Sequence, residues 1–370
     1  MPGCRTSAPL FDAMKIAFFG SSLLSAYWNG AATYYRGIIR ALHASGHRVT
    51  FYEPDAFDRQ QHRDLAPPRW AKVVVYENSE AAVRRQLEAA RGADLIVKAS
   101  GVGVFDELLE AAVLEYRRPG TLVAFWDVDA PATLDRVHRN AGDPFRAHIP
   151  RYDFVFTYGG GPPVVQAYDA LGARVCVPIY NGLDVETHHP VADVRFAGDF
   201  GFLGNRLPDR EQRVDEFFFR VAEALPERRF LLGGSGWSDK PMPPNVRYLG
   251  HVYTADHNGF NCTPLAVLNI SRESMARYGF SPATRVFEAA GAAACLVTDA
   301  WEGIDTFFEP GRELLVAQSG AEVAELLRAL TPARARAIGQ AAYRRALAEH
   351  TYTHRAEEIE DALEGHLAFA

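Results

Sequence analysis

Cysteine pairs, long apolar runs and an excess of positive charge are missing from this sequence, and each absence closes off a class of protein. The four cysteines, Cys4, Cys176, Cys262 and Cys295, show no metal-like spacing. They exclude a disulfide-stapled scaffold and a zinc ribbon, and all but Cys4 lie in or beside apolar segments, as reduced cytoplasmic core residues do. No apolar stretch approaches the roughly 20 residues needed to span a bilayer. A net charge of −7 argues against a protein that coats nucleic acid, although a locally basic cleft remains compatible with it. There is no GxGxxG fingerprint. Residues 1–13 hold one arginine and no long apolar core, so they are expected to be a disordered lead-in before Met14 and not a signal peptide. His138, His188 and His189 lack metal-ligand company and read as surface residues, so no metal site is expected.

What is present is a repeated alternation of short apolar runs and helical periods. At 370 residues the chain is long for one core, and two domains are expected. Lys15–Phe19 reads as a strand ending at Gly20-Ser21-Ser22. A helix follows from about Gly30 to Ser45, then a strand over Arg48–Tyr52. Asn29 and Gly30, small residues at the helix start, let a ligand approach the backbone there, or simply form a tight turn. Further strands are expected at Val73–Tyr76, Asp94–Lys98, Thr121–Trp126, Asp153–Tyr158 and Arg174–Ile179. Together these form one doubly wound α/β domain ending near residue 180. Asn181-Gly182-Leu183-Asp184 breaks the pattern and reads as a linker.

The alternation then restarts. Asp199–Leu203 reads as a strand, Arg210–Leu225 as a helix, and Arg229–Leu232 and Val246–Gly250 as strands. The segment from Leu265 to Asp299 is the organising unit of this half. Its first apolar run, Leu265–Ile270, is followed by a polar loop to Ser281, a helix, and a second run, Ala294–Thr298. That is a βαβ unit. Ser281 is expected as the helix N-cap and Pro282 as its first residue. The free N–H groups of that helix and Arg285 would then face the carboxyl end of the strand, where a phosphate sits in such folds. Glu288 lies one turn inside. The alternative is a capped structural helix with Glu288 paired to Arg285.

The motifs in order are the linker Pro178–Asp184, FLGNRLPDR (Phe202–Arg210), LGGSGW (Leu232–Trp237), YLGHV (Tyr248–Val252), LNISRESMARYGFSPATRVFEAAG (Leu268–Gly291) and EHTYTHRA (Glu349–Ala356). Together they resemble the CgeB-like group of GT-B glycosyltransferases, closely over residues 199–356 and more loosely at KIAFFG, NGAAT and WDVDAP. The resemblance implies an α/β GT-B architecture, two Rossmann-like domains facing across a cleft. It places an acceptor-side domain at residues 14–185, joined by a terminal helix over 353–370, and a nucleotide-sugar-binding domain at 186–352.

The function implied is transfer of a sugar from a nucleoside-diphosphate-sugar donor to an unknown acceptor, a glycan, lipid-linked sugar, small molecule or protein. No cofactor and no metal take part, and the protein is cytoplasmic. The donor site implied by resemblance and residue reading together comprises Asn29, Gly30, Asn205, Arg206, Arg210, Gly234, Ser235, His251, Val252, Ser281, Thr284, Arg285 and Glu288. Arg206 and Arg210 would meet the diphosphate, where charge grows as the glycosidic bond breaks. The alternative for them is an ion pair with Asp209 or Glu211. Glu288 matches the second Glu of an E-x7-E pattern whose first position is Phe280, a departure that leaves a direct donor-sugar contact open.

Asp127 and Asp129 are the candidate general bases, or the capped turn before Pro131. They form a DVD tripeptide, but it lies in the amino-terminal half, away from the expected donor site. A nucleotide-sugar epimerase and a non-catalytic nucleotide-binding scaffold in a cell-surface or spore-coat assembly are the competing readings.

Overall fold

The computed structural model describes residues 13–27 and 29–367, so all but the last residue of the expected lead-in lies outside the described residues. The chain divides into two compact units, one running to Tyr180 and resuming at Tyr352, the other spanning Asn181–Thr351.

The first unit is a seven-stranded, all-parallel sheet in the order β3-β2-β1-β4-β5-β6-β7. Its elements are β1 (Lys15–Phe19), α1 (Ala32–Ala44), β2 (Arg48–Pro54), β3 (Lys72–Tyr76), α2 (Glu80–Ala90), β4 (Leu95–Ala99), α3 (Asp106–Glu115), β5 (Leu122–Asp127), α4 (Ala130–Arg139), α5 (Pro144–His148), β6 (Phe154–Thr157), α6 (Gly161–Ala170) and β7 (Cys176–Pro178). The inner strands β4 and β5 are buried at every residue, while β3 and β7 at the edges are half-exposed. Continuous apolar runs are what a strand covered by helices on both faces requires. The strand order reverses between β1 and β4, which makes their carboxyl ends the place for a ligand crevice.

The second unit repeats the plan with six parallel strands in the order β10-β9-β8-β11-β12-β13. In chain order it comprises β8 (Phe200–Leu203), α7 (Pro208–Val214), α8 (Arg220–Ala224), β9 (Phe230–Gly233), β10 (Val246–Tyr248), α9 (Thr254–Cys262), β11 (Ala266–Asn269), α10 (Glu273–Tyr278), α11 (Thr284–Gly291), β12 (Leu296–Asp299), β13 (Leu315–Ala317), α12 (Gly320–Ala329) and α13 (Pro332–Glu349). Its reversal point lies between β8 and β11.

The helix expected over Arg210–Leu225 is interrupted by a π-helical turn at Asp215–Phe219. Phe217, Phe218 and Phe219 are all buried there, in one core with Phe200, Phe202, Phe230 and Trp237. The widened turn carries all three rings into that core.

The last helix, α14 (Tyr352–Leu367), belongs to the first unit. Tyr352, Ala356, Ile359 and Leu363 recur at helical spacing and are buried with Tyr34, Ile38 and Ile39 of α1. At Gly37 of α1 an added Cβ would fall 2.2 Å from the Tyr352 ring. The two helices meet there because the residue is glycine.

Candidate nucleotide-diphosphate site

The loops after β8, β9 and β10 are bonded to one another. Gly234 has φ +120, and a Cβ there would fall 2.2 Å from the carbonyl oxygen of Gly204. Its N–H donates to the Gly250 carbonyl at 2.7 Å, and the Arg206 N–H donates to the Ser235 carbonyl at 2.9 Å. The Ser235 N–H donates to Asn205 Oδ1 at 2.9 Å. Asn205, Gly234 and Ser235 therefore brace this end of the sheet. His251 is exposed and Val252 buried on the loop after β10, with the Val252 carbonyl 3.3 Å from His257 Nε2.

The two arginines expected at a phosphate differ. Arg206 is neutralised, with Nε and Nη2 donating to Glu211 at 2.8 Å each and Nη1 to Asp239 at 3.0 Å. Here the ion-pair alternative is the one realised. Arg210 lies over the Phe202 ring, 5.5 Å from its centre, and donates from Nη2 to the Asn205 carbonyl at 2.8 Å. Its Nε is buried without a hydrogen-bond partner among the described residues. Burial pushes its guanidinium pKa down, and the charges of Arg285 and Arg272 push the same way against Asp209 and Asp299. Two like charges thus bear on a half-buried cation that makes no ion pair among the described residues, an arrangement that an anionic ligand relieves.

Arg285 stands in the first turn of α11. That helix starts at Thr284 after Ala283, with no side-chain cap. Ser281 is not the N-cap, nor Pro282 the first helical residue. The Ser281 hydroxyl donates backward to the Gly279 carbonyl at 2.8 Å and so belongs to the preceding turn. The first N–H groups of α11 thus carry no side-chain acceptor. The Thr284 hydroxyl donates to Asn181 Oδ1 at 3.3 Å, and Asn181 Nδ2 donates to the Pro282 carbonyl at 3.3 Å, so the NGxD segment anchors the start of this helix.

Glu288 is 9 % exposed. Its carboxylate lies 3.4 Å from Arg285 Nη1, 3.8 Å from His188 Nε2 and 4.0 Å from His257 Nδ1. Burial raises its pKa, but Arg285, His188 and His257 together outweigh burial and hold it below the ordinary value. Arg285 Nη1, Glu288 Oε2, His188 Nδ1 and His257 Nδ1 are all buried without a hydrogen-bond partner among the described residues. They form a cluster of polar atoms spaced just too far apart to satisfy one another. His188, read from sequence as a surface residue, is buried in this cluster, and His257 joins it from α9. The one signal for His257 was its position five residues after Val252.

In the first unit, Asp127 is wholly enclosed. Ser100 Oγ, Thr133 Oγ1 and the Asp129 N–H donate to its Oδ1 at 2.8, 3.0 and 3.1 Å, and Tyr168 Oη donates to Oδ2 at 2.5 Å. A carboxylate so engaged braces the ends of β4 and β5 and presents no lone pair outward. Asp129, half-buried at the start of α4, is the acid of the pair that reaches the surface. The Asn29 side chain is likewise occupied, accepting from Ser21 Oγ at 2.9 Å and donating to the Ser22 and Ser25 carbonyls at 2.8 and 3.0 Å. Gly30 is exposed, with open space where a Cβ would sit. Neither residue belongs to the second unit's cluster. Among the described residues no group of three or more His, Cys, Asp or Glu side chains is placed to hold a metal ion.

This architecture is that of the GT-B glycosyltransferases. Sucrose-phosphate synthase from Thermosynechococcus elongatus is similar with a TM-score of 0.69 at 14 % identity, over 96 % of this chain and 100 % of that one. The Anabaena protein HepE, solved with UDP and glucose, gives 0.66 at 15 % identity over 95 % and 99 %. AviGT4, a glycosyltransferase of avilamycin A biosynthesis, gives 0.59 at 16 % identity over 96 % and 99 %. Residues 210–361 match the family model described as glycosyl transferase-like, so the chain is a GT-B-fold protein with a glycosyltransferase-like carboxyl-terminal segment. No curated protein matches it by sequence.

Proposed function

We propose that this protein is a glycosyltransferase of the CgeB-like group that moves a sugar from a nucleoside diphosphate to an acceptor, with the donor held in the second unit. One observation carries the reading. Arg210 and Arg285 each leave a buried N–H atom without a partner beside the uncapped start of α11, at the point where the strand order reverses. A diphosphate supplies the missing acceptors and relieves the repulsion between the two cations. Glu288 receives a ribose hydroxyl, and the His251–Val252 main chain lies against the base. Neutralisation by Arg210, Arg285 and the helix makes a metal ion unnecessary, and the protein acts in the cytoplasm. Asp127 serves as a brace, which favours a reaction in which the departing phosphate takes the acceptor proton, with Asp129 orienting the acceptor.

The test is calorimetric titration of nucleoside diphosphates and nucleotide-sugars into the wild type, Arg210→Ala and Glu288→Ala. One nucleotide should bind the wild type, and both substitutions should weaken it. If no nucleotide binds at millimolar concentration, the transferase reading fails and a scaffold role replaces it.

A further inference from the structure

We infer that the first unit carries an anion-binding site at its strand reversal, built on Arg59, which takes a carboxylate or phosphate group of the acceptor. Arg59 lies in the loop after β2 and is 6 % exposed. Its hydrogen bonds among the described residues run from Nη1 alone, to the Ser21 carbonyl at 3.3 Å and the Val102 carbonyl at 3.4 Å. Those carbonyls belong to the loops after β1 and β4, the two strands between which the order reverses. The guanidinium therefore sits where an open parallel sheet receives a ligand.

Arg59 makes no ion pair among the described residues, and its Nε is buried without a hydrogen-bond partner there. Burial pushes its guanidinium pKa down, and Glu53 and Tyr35 offset part of that. Glu53 is not free to pair with it. Fully buried at the end of β2, its oxygens already accept from Ser22 Oγ at 3.0 Å, the Leu23 and Leu24 N–H groups at 2.5 and 3.3 Å, and Gln60 Nε2 at 2.7 Å. Asp106, at the start of α3, is engaged in the same way by Lys98 Nζ at 2.7 Å and by the Val102 and Gly103 N–H groups at 3.1 and 2.8 Å. A cation this deeply buried is ordinarily paired with an acid. Arg59 instead makes two long bonds to neutral carbonyls, and its remaining donors suit a carboxylate or a phosphate.

The surroundings hold the site in shape. Phe57 and Asp58 both adopt positive φ, +57 and +55. Two consecutive non-glycine residues in the left-handed region cost energy, and such strain persists where the surroundings impose it. Here it holds the Phe57 ring with its centre 4.9 Å from the guanidinium, where it shields the cation from water and so strengthens its attraction for an anion. On the other loop Gly101 is exposed at φ +65, with open space where a Cβ would sit, one residue from the Val102 carbonyl that holds Arg59. Assigning the anion to the acceptor rests on the transferase reading, but its binding does not.

The experiment titrates the full chain with glucuronate, glucose 6-phosphate and glucose, followed by saturation-transfer NMR. The wild type should bind one of the two anionic sugars at least roughly tenfold more tightly than glucose, and which one tells carboxylate from phosphate. Arg59→Gln should abolish that preference. Gly101→Asp sets a negative charge beside the site and should weaken binding, whereas Gly101→Asn, of the same shape, should not; both side chains tolerate positive φ. That pair decides the matter if Arg59→Gln does not fold. Arg210→Ala should leave the affinity for anionic sugars unchanged, which separates this site from the donor site. Binding of neither anionic sugar in preference to glucose overturns the inference, as does an undiminished preference in folded Arg59→Gln. If an anionic sugar binds and no nucleotide does, this site stands and the transferase reading falls. If a nucleotide binds and no anionic sugar does, only the present inference falls.

Discussion

His257 Nδ1 lies 4.0 Å from Glu288 Oε2, with no hydrogen bond between them. With Nε2–H turned to the Val252 carbonyl, the neutral ring shows its lone pair to a carboxylate. Burial is the main reason that the imidazole stays neutral. It lowers the pKa to about 4, against the pull of Glu288 and with help from Arg285 and His188. The unfolded chain takes up this proton near 6.5, so between 6.5 and about 4 it binds more protons than the folded one. Stability is therefore complete above 6.5 and lost as pH falls through that window, by at most about 3 kcal/mol. Glu288, held below its ordinary value, adds a loss that begins as pH falls below 4.5 and continues through its folded value. Urea denaturation from pH 7.5 to 4 should show this slope, and His257→Gln should flatten its upper part.

Arg206 and Arg210 should respond in opposite ways. Arg206→Ala breaks surface pairs with Glu211 and Asp239, which water screens, so it should barely change stability and leave nucleotide affinity within a few-fold. Arg210→Ala removes a cation already under repulsion from Arg285 and Arg272. It should leave the fold intact and cost about 2 kcal/mol in nucleoside diphosphate binding, roughly thirtyfold. Equal losses from the two substitutions would falsify the division of labour between them.

Asp127→Ala tests the brace. It strands the donors of Ser100, Thr133, Asp129 and Tyr168 in the interior, a loss of about 3 kcal/mol or more. Nucleotide affinity measured below the lowered melting temperature should match the wild type. A variant as stable as the wild type but without turnover would return Asp127 to the role of base.

The alternation of apolar runs and helical periods made both sheets legible from sequence, because buried parallel strands must be apolar at nearly every position, as LIVKA and LVAFWD are. The π turn was not legible. DEFFF reads as helix in any window, and nothing in those residue types marks a widened turn. Asp127 drew notice as a polar residue at a strand's carboxyl end, and Asn29 as a small residue at a helix start, both places where ligand crevices form. Residues that brace such a crevice carry the same signature, and only their hydrogen-bond partners tell the two apart. His188 and His257 were missed because their shared partner, Glu288, lies far from both in sequence.

Gly37 sets how closely α14 approaches α1. A methyl group there would fall 2.2 Å from Tyr352, whose ring is 5 % exposed and packed with Tyr34. The glycine is helical, so alanine carries no backbone penalty and gains intrinsic propensity of up to about 1 kcal/mol. Overpacking typically costs about 1–3 kcal/mol. The steric term should win, because the obstruction is the body of a buried ring and not the tip of a flexible side chain. Gly37→Ala should lower stability by about 1–2 kcal/mol in chemical denaturation, and Gly37→Ala with Tyr352→Leu should recover part of it. If Gly37→Ala alone stabilised the protein, the ring would have room to move, and the close approach would not be what holds the terminal helix on the first unit.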